Sequence, residues 1–165
     1  GLWKKGVYQK RRLPGFKLWL EIIKSNPELG YYLIGGTKEV IELTTSQLKI
    51  DFPNINIKGY SNGYSYYEKI EEIKNELHKL APRVIFVAMG SPRQEKIMSD
   101  LFKTYKASYI GLGGSFDYYI GKSHRTPEWI QRIGFQWLHR LIMEPKRFKR
   151  QLVLAKYLLN LVFKY

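Results

Sequence analysis

The chain has 165 residues, with 28 Lys plus Arg against 14 Asp plus Glu and a net charge of +14. This length supports one domain of ordinary size, and 44% apolar with 15% aromatic residues excludes global disorder. Zero cysteines exclude a disulfide framework, a thiolate zinc site and a cysteine nucleophile, while the three histidines form no ligand pair.

In chain order, residues 16–24 read as a helix with apolar positions at 16, 19, 20 and 23, ending near Asn26-Pro27. Residues 31–34 form a short apolar run that suits a buried strand and ends in Gly35-Gly36. Thr37 caps a helix expected to reach about Ile50, with Glu39 and Glu42 toward its N-terminal end. Residues 55–60 alternate as a strand, Asn62-Gly63 marks a turn, and residues 65–80 read as a long charged helix. Residues 84–89 are a second buried-strand run, followed by Gly90-Ser91-Pro92 and a helix to about Tyr105. Residues 107–112 are the next strand, closed by Gly113-Gly114. Beyond this, residues 126–143 and 146–163 read as two basic amphipathic helices separated by Glu144-Pro145. No apolar stretch is long enough to span a bilayer, and no cleavable signal peptide opens the chain.

Strands that alternate with helices of crossover length imply βαβ units, a parallel sheet and an α/β sandwich with right-handed crossovers. In such folds ligands lie beyond the carboxyl ends of the strands. Those ends are residues 35–37, 60–63, 90–94 and 111–117, all rich in Gly, Ser, Thr or Asn, where a phosphate would meet backbone N–H groups. Neither GxGxxG with a ribose-binding acid nor GxxxxGK(S/T) is present.

The charge is concentrated at the ends. Residues 1–17 carry +6, residues 18–120 are neutral, and residues 121–165 carry +8. Nucleic acid, an anionic membrane and a phosphorylated substrate all fit this asymmetry, as does a merely solubilising surface. Two regions follow: a core over residues 1–120 and a basic helical appendage over residues 121–165, suited to a membrane interface or to packing on a sheet.

Among chemistry-bearing residues, Asp117 follows a strand end and is suited to accept a proton or hold a sugar hydroxyl, or simply to cap a loop. Gln94 can hydrogen-bond a uracil or sugar edge, whereas the neighbouring Glu95 needs no role beyond favouring a helix N-terminus. Arg125, Arg140, Arg147 and Arg150 are grouped in the tail, where planar guanidiniums suit a diphosphate clamp or a solvated face.

Together these residues resemble a known family. Residues 87–95 match the V-x-x-G-x-P-(K/R)-Q-E signature of the bacterial WecG/TagA/CpsF glycosyltransferases, and residues 111–121 resemble their G-x-G-G-x-F-D-x-x-x-G element. The run from His124 to Pro127 is similar to their R-A-P element, with Thr126 in place of Ala. Residues 134–141 and the E-P-x-R-x-x-R pattern from Glu144 to Arg150 resemble the family's tail, with Gln136 in place of Glu. Arg12 to Gly15 resembles the R-x-x-G that precedes the family's central helix.

The resemblance implies a Rossmann-like α/β enzyme with a UDP-sugar-binding core over residues 1–120. It implies an inverting, metal-independent transfer of a sugar from a UDP donor to a polyprenyl-diphosphate-linked sugar, in cell-surface polysaccharide or teichoic acid assembly. The sugar it implies is N-acetylmannosaminuronic acid or N-acetylmannosamine. By motif position it places Gln94 and Asp117 among the catalytic residues. Arg12, Gly113, Gly114, Arg125, Arg140, Arg147 and Arg150 fall among the substrate-binding ones. It implies no cofactor and no metal site, UDP-sugar and lipid-linked acceptor as partners, peripheral attachment to the cytoplasmic face of an anionic membrane, and no nucleic acid. A homo-oligomer stays open. The family carries a further N-terminal stretch with an Asp-Gly element that holds the general base, so the opening strands and that base are expected to be missing here. The alternatives are a basic nucleic-acid-binding module and a non-catalytic scaffold fragment.

Overall fold

The computed structural model describes residues 15–122. The expectations for Arg12, Arg125, Arg140, Arg147, Arg150 and the two C-terminal helices lie outside the described residues. The described part alternates helix and strand as α1 (Gly15–Ser25), β1 (Tyr31–Gly35), α2 (Lys38–Asp51), β2 (Ile57–Ser61), α3 (Ile70–Leu80), β3 (Val84–Ala88), α4 (Arg93–Thr104), β4 (Ser108–Gly111) and α5 (Ser115–Tyr119). The four strands form one all-parallel sheet in the order β2-β1-β3-β4, the α/β architecture expected from the sequence.

Strand composition follows position in the sheet. β1 and β3 are central, pair from Tyr31↔Val84 to Gly35↔Ala88, and are buried at every residue. Their continuous apolar runs reflect helices on both faces. The outer strands β2 and β4 are only partly buried.

The period-two geometry of a strand divides the core in two. Tyr31, Leu33, Val84, Phe86 and Ala88 point to one face, where they meet Trp19 and Ile23 of α1, Val40, Ile41 and Leu48 of α2, and Phe116 of α5. Tyr32, Ile34, Ile85 and Val87 point to the other, against Ile73 and Leu77 of α3 and Ile97 and Leu101 of α4. Trp19 is the hub of the first layer, its ring 5.6 Å from those of Phe86 and Phe116 and 5.4 Å from that of Tyr119. Full burial of such a side chain contributes roughly 2–3 kcal/mol from area removed from water.

The boundaries differ from the sequence reading at three places. β2 begins at Ile57, not Ile55, because Ile55 gives its N–H to Phe52 O in a turn and Asn56 bridges Pro27 and Tyr31. α3 begins at Ile70, not Ser65: Asn62 Oδ1 accepts from both the N–H and the hydroxyl of Ser65, at 2.9 and 2.8 Å. That local bonding holds residues 65–69 in turns and lets Tyr66 bury its ring in the second layer. The segment after Gly114, read as loop, is the short helix α5, with the buried Phe116 as its anchor.

Candidate active site at the carboxyl edge of the sheet

The strand order reverses direction between β1 and β3. From β1 the chain runs through α2 to β2 on one side, and from β3 through α4 to β4 on the other. Right-handed crossovers then require α2 and α4 on opposite faces, as observed, and the loops leaving β1 and β3 diverge. This reversal opens a crevice at the carboxyl edge, where open α/β sheets bind ligands.

All four glycine-bearing strand ends meet at this edge and are tied together. Gly63 N–H donates to Gly36 O at 3.1 Å, joining the ends of β2 and β1. A Cβ on Gly63 would overlap the Met89 thioether, so the β2 end also packs closely on the β3 end. Leu112 N–H donates to Val87 O at 2.8 Å, joining the ends of β4 and β3. Gly36, Gly90 and Gly113 have φ of +62°, +68° and +62°, a backbone that glycine adopts without steric cost. At Gly36 a Cβ would stand 2.6 Å from Val40 Cγ1. At Gly90 and Gly113 no atom of the described residues lies within 4 Å of that position.

Each loop then turns into a helix. Thr37 caps α2, its hydroxyl oxygen accepting from Val40 N–H at 3.3 Å, as the sequence indicated. Gln94 lies in the first turn of α4, and its Oε1 accepts from Gly113 N–H at 2.8 Å, while its Nε2 donates to Glu95 Oε1 at 3.0 Å. Gln94 and Gly113, two residues singled out from separate motifs, are thus in direct contact, with Gly114 next in the chain as N-cap of α5. Asp117 lies half-buried in the first turn of α5.

Two further groups complete the edge and were not singled out from the sequence. Tyr64 follows the Asn62-Gly63 turn and is 65% exposed, with the Arg93 guanidinium 5.5 Å from its ring centroid. Such a contact is worth about 0.5–1 kcal/mol at an exposed position. The available signal was an aromatic residue directly after a turn at a strand's carboxyl end. The base of α5 is fixed to α2 by an ion pair of 2.6 Å between Lys122 and Glu39 and by the Tyr119 hydroxyl donating to Asp51. Burial, then the Asp51 carboxylate, pushes the Tyr119 hydroxyl above its ordinary pKa.

The edge offers backbone N–H groups, an exposed aromatic face, a guanidinium, an amide and a carboxylate. Such a set suits a nucleotide, whose base stacks, whose ribose hydroxyls hydrogen-bond and whose phosphates need positive charge. Among the described residues no three His, Asp or Glu side chains converge to hold a metal ion.

The family model for the glycosyl transferase WecG/TagA/CpsF family matches residues 2–165. An N-acetylglucosaminyldiphosphoundecaprenol N-acetyl-beta-D-mannosaminyltransferase from Bacillus subtilis (strain 168) is 35% identical over 154 residues, which are 92% of this chain. The chain spans 59% of that relative's length.

Proposed function

Since the chain belongs to the WecG/TagA/CpsF family of glycosyl transferases, we propose that it carries the donor-binding part of a sugar transferase. The transferase moves an N-acetylmannosamine-type sugar from a UDP donor to a polyprenyl-diphosphate-linked N-acetylglucosamine, with inversion at the anomeric carbon. The product enters a bacterial cell-surface polysaccharide or teichoic acid. The observation that carries the reading is the convergence of residues 90–94 and 111–117 at the β1/β3 reversal, joined by the Gln94–Gly113 bond.

In this reading the uracil stacks on Tyr64, and Asp117 fixes a sugar or ribose hydroxyl. The diphosphate approaches the backbone at Gly90 and Gly113, whose Cβ positions are open. The acceptor hydroxyl attacks the anomeric carbon, its proton passes to a base, and UDP departs. Charge on the leaving diphosphate is met by arginines, with Arg12, Arg125, Arg140, Arg147 and Arg150 as the candidates. Transfer is metal-independent. The +8 of residues 121–165 holds the enzyme peripherally at the cytoplasmic face of an anionic membrane. Among the described residues no helix is long and apolar enough to cross one.

The test is titration of the isotopically labelled 165-residue chain with UDP, followed by amide NMR. Saturable shifts centred on residues 63–64, 90–94 and 111–117 are expected, competed by UDP-N-acetylmannosamine and indifferent to an oligonucleotide. Shifts elsewhere, or saturable binding of the oligonucleotide alone, overturn the reading.

A further inference from the structure

We propose that Gln94 is a positioning residue: its side chain latches the β4–α5 loop to the start of α4 and so sets the shape of the donor crevice. The proposal deepens the donor-site reading above and rests on it for the link to nucleotide binding.

The amide of Gln94 is spent on protein groups at both ends. Its Oε1 accepts from Gly113 N–H at 2.8 Å, across 19 positions of sequence, and its Nε2 donates to Glu95 Oε1 at 3.0 Å. Its own backbone is fixed by donation from Gln94 N–H to Gly90 O at 3.0 Å. One residue therefore ties Gly90 to Gly113, both of them glycines whose Cβ positions face no atom of the described residues within 4 Å. The backbone bond next to this latch lies one residue earlier, from Leu112 N–H to Val87 O. Without Gln94, the Gly113-Gly114 stretch between that bond and the buried Phe116 anchor of α5 loses its side-chain tie to α4.

Gly111 supports the same conclusion independently. A Cβ there would stand 2.7 Å from Gln94 Nε2, 3.1 Å from its Cδ and 3.3 Å from Met98 Cε. Its backbone does not require glycine, since its φ is not among the positive values. A side chain at Gly111 would thus have to displace the Gln94 amide. A glycine and a glutamine in separate motifs form one device: the glycine clears the path, and the glutamine crosses it to reach Gly113.

The experiment uses the full 165-residue chain, with amide exchange at Gly113, UDP affinity and thermal midpoint as readouts. Gln94→Met keeps the length but removes the acceptor. It is expected to speed Gly113 exchange and weaken UDP binding by about tenfold each, the effect of one lost hydrogen bond. Leu112 exchange and the thermal midpoint should stay near the wild type. Gly111→Ala, which leaves Gln94 in place but crowds its amide, is expected to reproduce both changes. The double exchange Q94E/E95Q keeps the net charge, an acceptor toward Gly113 and a donor–acceptor pair, and should return both readouts to within about threefold of the wild type.

Unchanged Gly113 exchange in Gln94→Met overturns the latch. So does a Q94E/E95Q variant that protects Gly113 yet binds UDP as poorly as Gln94→Met, because the Gln94 amide would then contact the nucleotide itself. Failure of the wild-type chain to bind UDP refutes the donor-site reading alone. The exchange data on Gly113 decide the latch in either case.

Discussion

Replacing Gly90 with Ala separates binding from stability more cleanly than any other single change at this edge. Gly90 has φ +68°, so an alanine there carries the left-handed backbone cost of about 1–2 kcal/mol. No overpacking is added, because no atom of the described residues lies within 4 Å of the new methyl. The midpoint of thermal unfolding should therefore fall by only about 2–8 °C. UDP approaching the backbone at that point would meet the methyl, and a loss of at least about tenfold in affinity is expected, equivalent to about 1.4 kcal/mol. Gly36→Ala is the matched control. It has nearly the same φ, +62°, but its Cβ would stand 2.6 Å from Val40 Cγ1, on a stiff β-branched side chain in the first turn of α2. Overpacking adds about 1–3 kcal/mol, for a total near 2–5 kcal/mol. Urea denaturation and UDP titration of the two variants give all four numbers. The reasoning is refuted if Gly90→Ala binds UDP within twofold of the wild type, or if Gly36→Ala is no less stable than Gly90→Ala.

Four further outcomes are expected. Phe116→Ala removes a fully buried ring that meets Trp19 at 5.6 Å, and urea denaturation should show a loss of about 3–5 kcal/mol. Lys122→Ala, at an exposed ion pair beside the same helix, should cost less than about 1 kcal/mol. Stability should also fall as pH rises above about 10: burial first, then Glu76 for Tyr32 and Asp51 for Tyr119, pushes these hydroxyls above the ordinary value of 10.0. The unfolded chain loses those protons near pH 10 while the fold retains them, so alkali favours unfolding; a urea midpoint that stays constant as the pH rises past about 10 would contradict this. Finally, UDP affinity should be the same within twofold in EDTA and in magnesium, and a strong dependence on magnesium would overturn the metal-independent reading.

Much of this molecule is written in local pattern. The apolar runs of β1 and β3 announce central strands because a strand covered on both faces has no polar side to show. Thr37 announces the start of α2 because its hydroxyl satisfies a backbone N–H that the helix cannot. Where prediction slipped, tertiary or non-periodic bonding had overruled periodicity. Ser65 and Tyr66 look helical, but Asn62 and the buried Tyr66 ring hold that stretch in turns. Asp117 looked like a loop residue because five residues are too short to show a helical period, and α5 exists through the burial of Phe116.

The +14 charge, the four glycine-bearing strand ends and the Gln94 and Asp117 motifs were all legible before any fold was known. What only the tertiary structure decided is which of those pieces touch. β1 and β3 are neighbours although more than a whole βα unit separates them in sequence, because the strand from β2 must cross over β1 to reach an open edge. That crossing creates the reversal, across which Arg93 meets Tyr64, while the pairing of β4 with β3 brings Gly113 to Gln94. Side-chain periodicity records which face a residue occupies, since it follows from local backbone geometry. It carries no record of which distant strand will lie alongside, which is settled by crossover handedness and by the burial that each arrangement achieves.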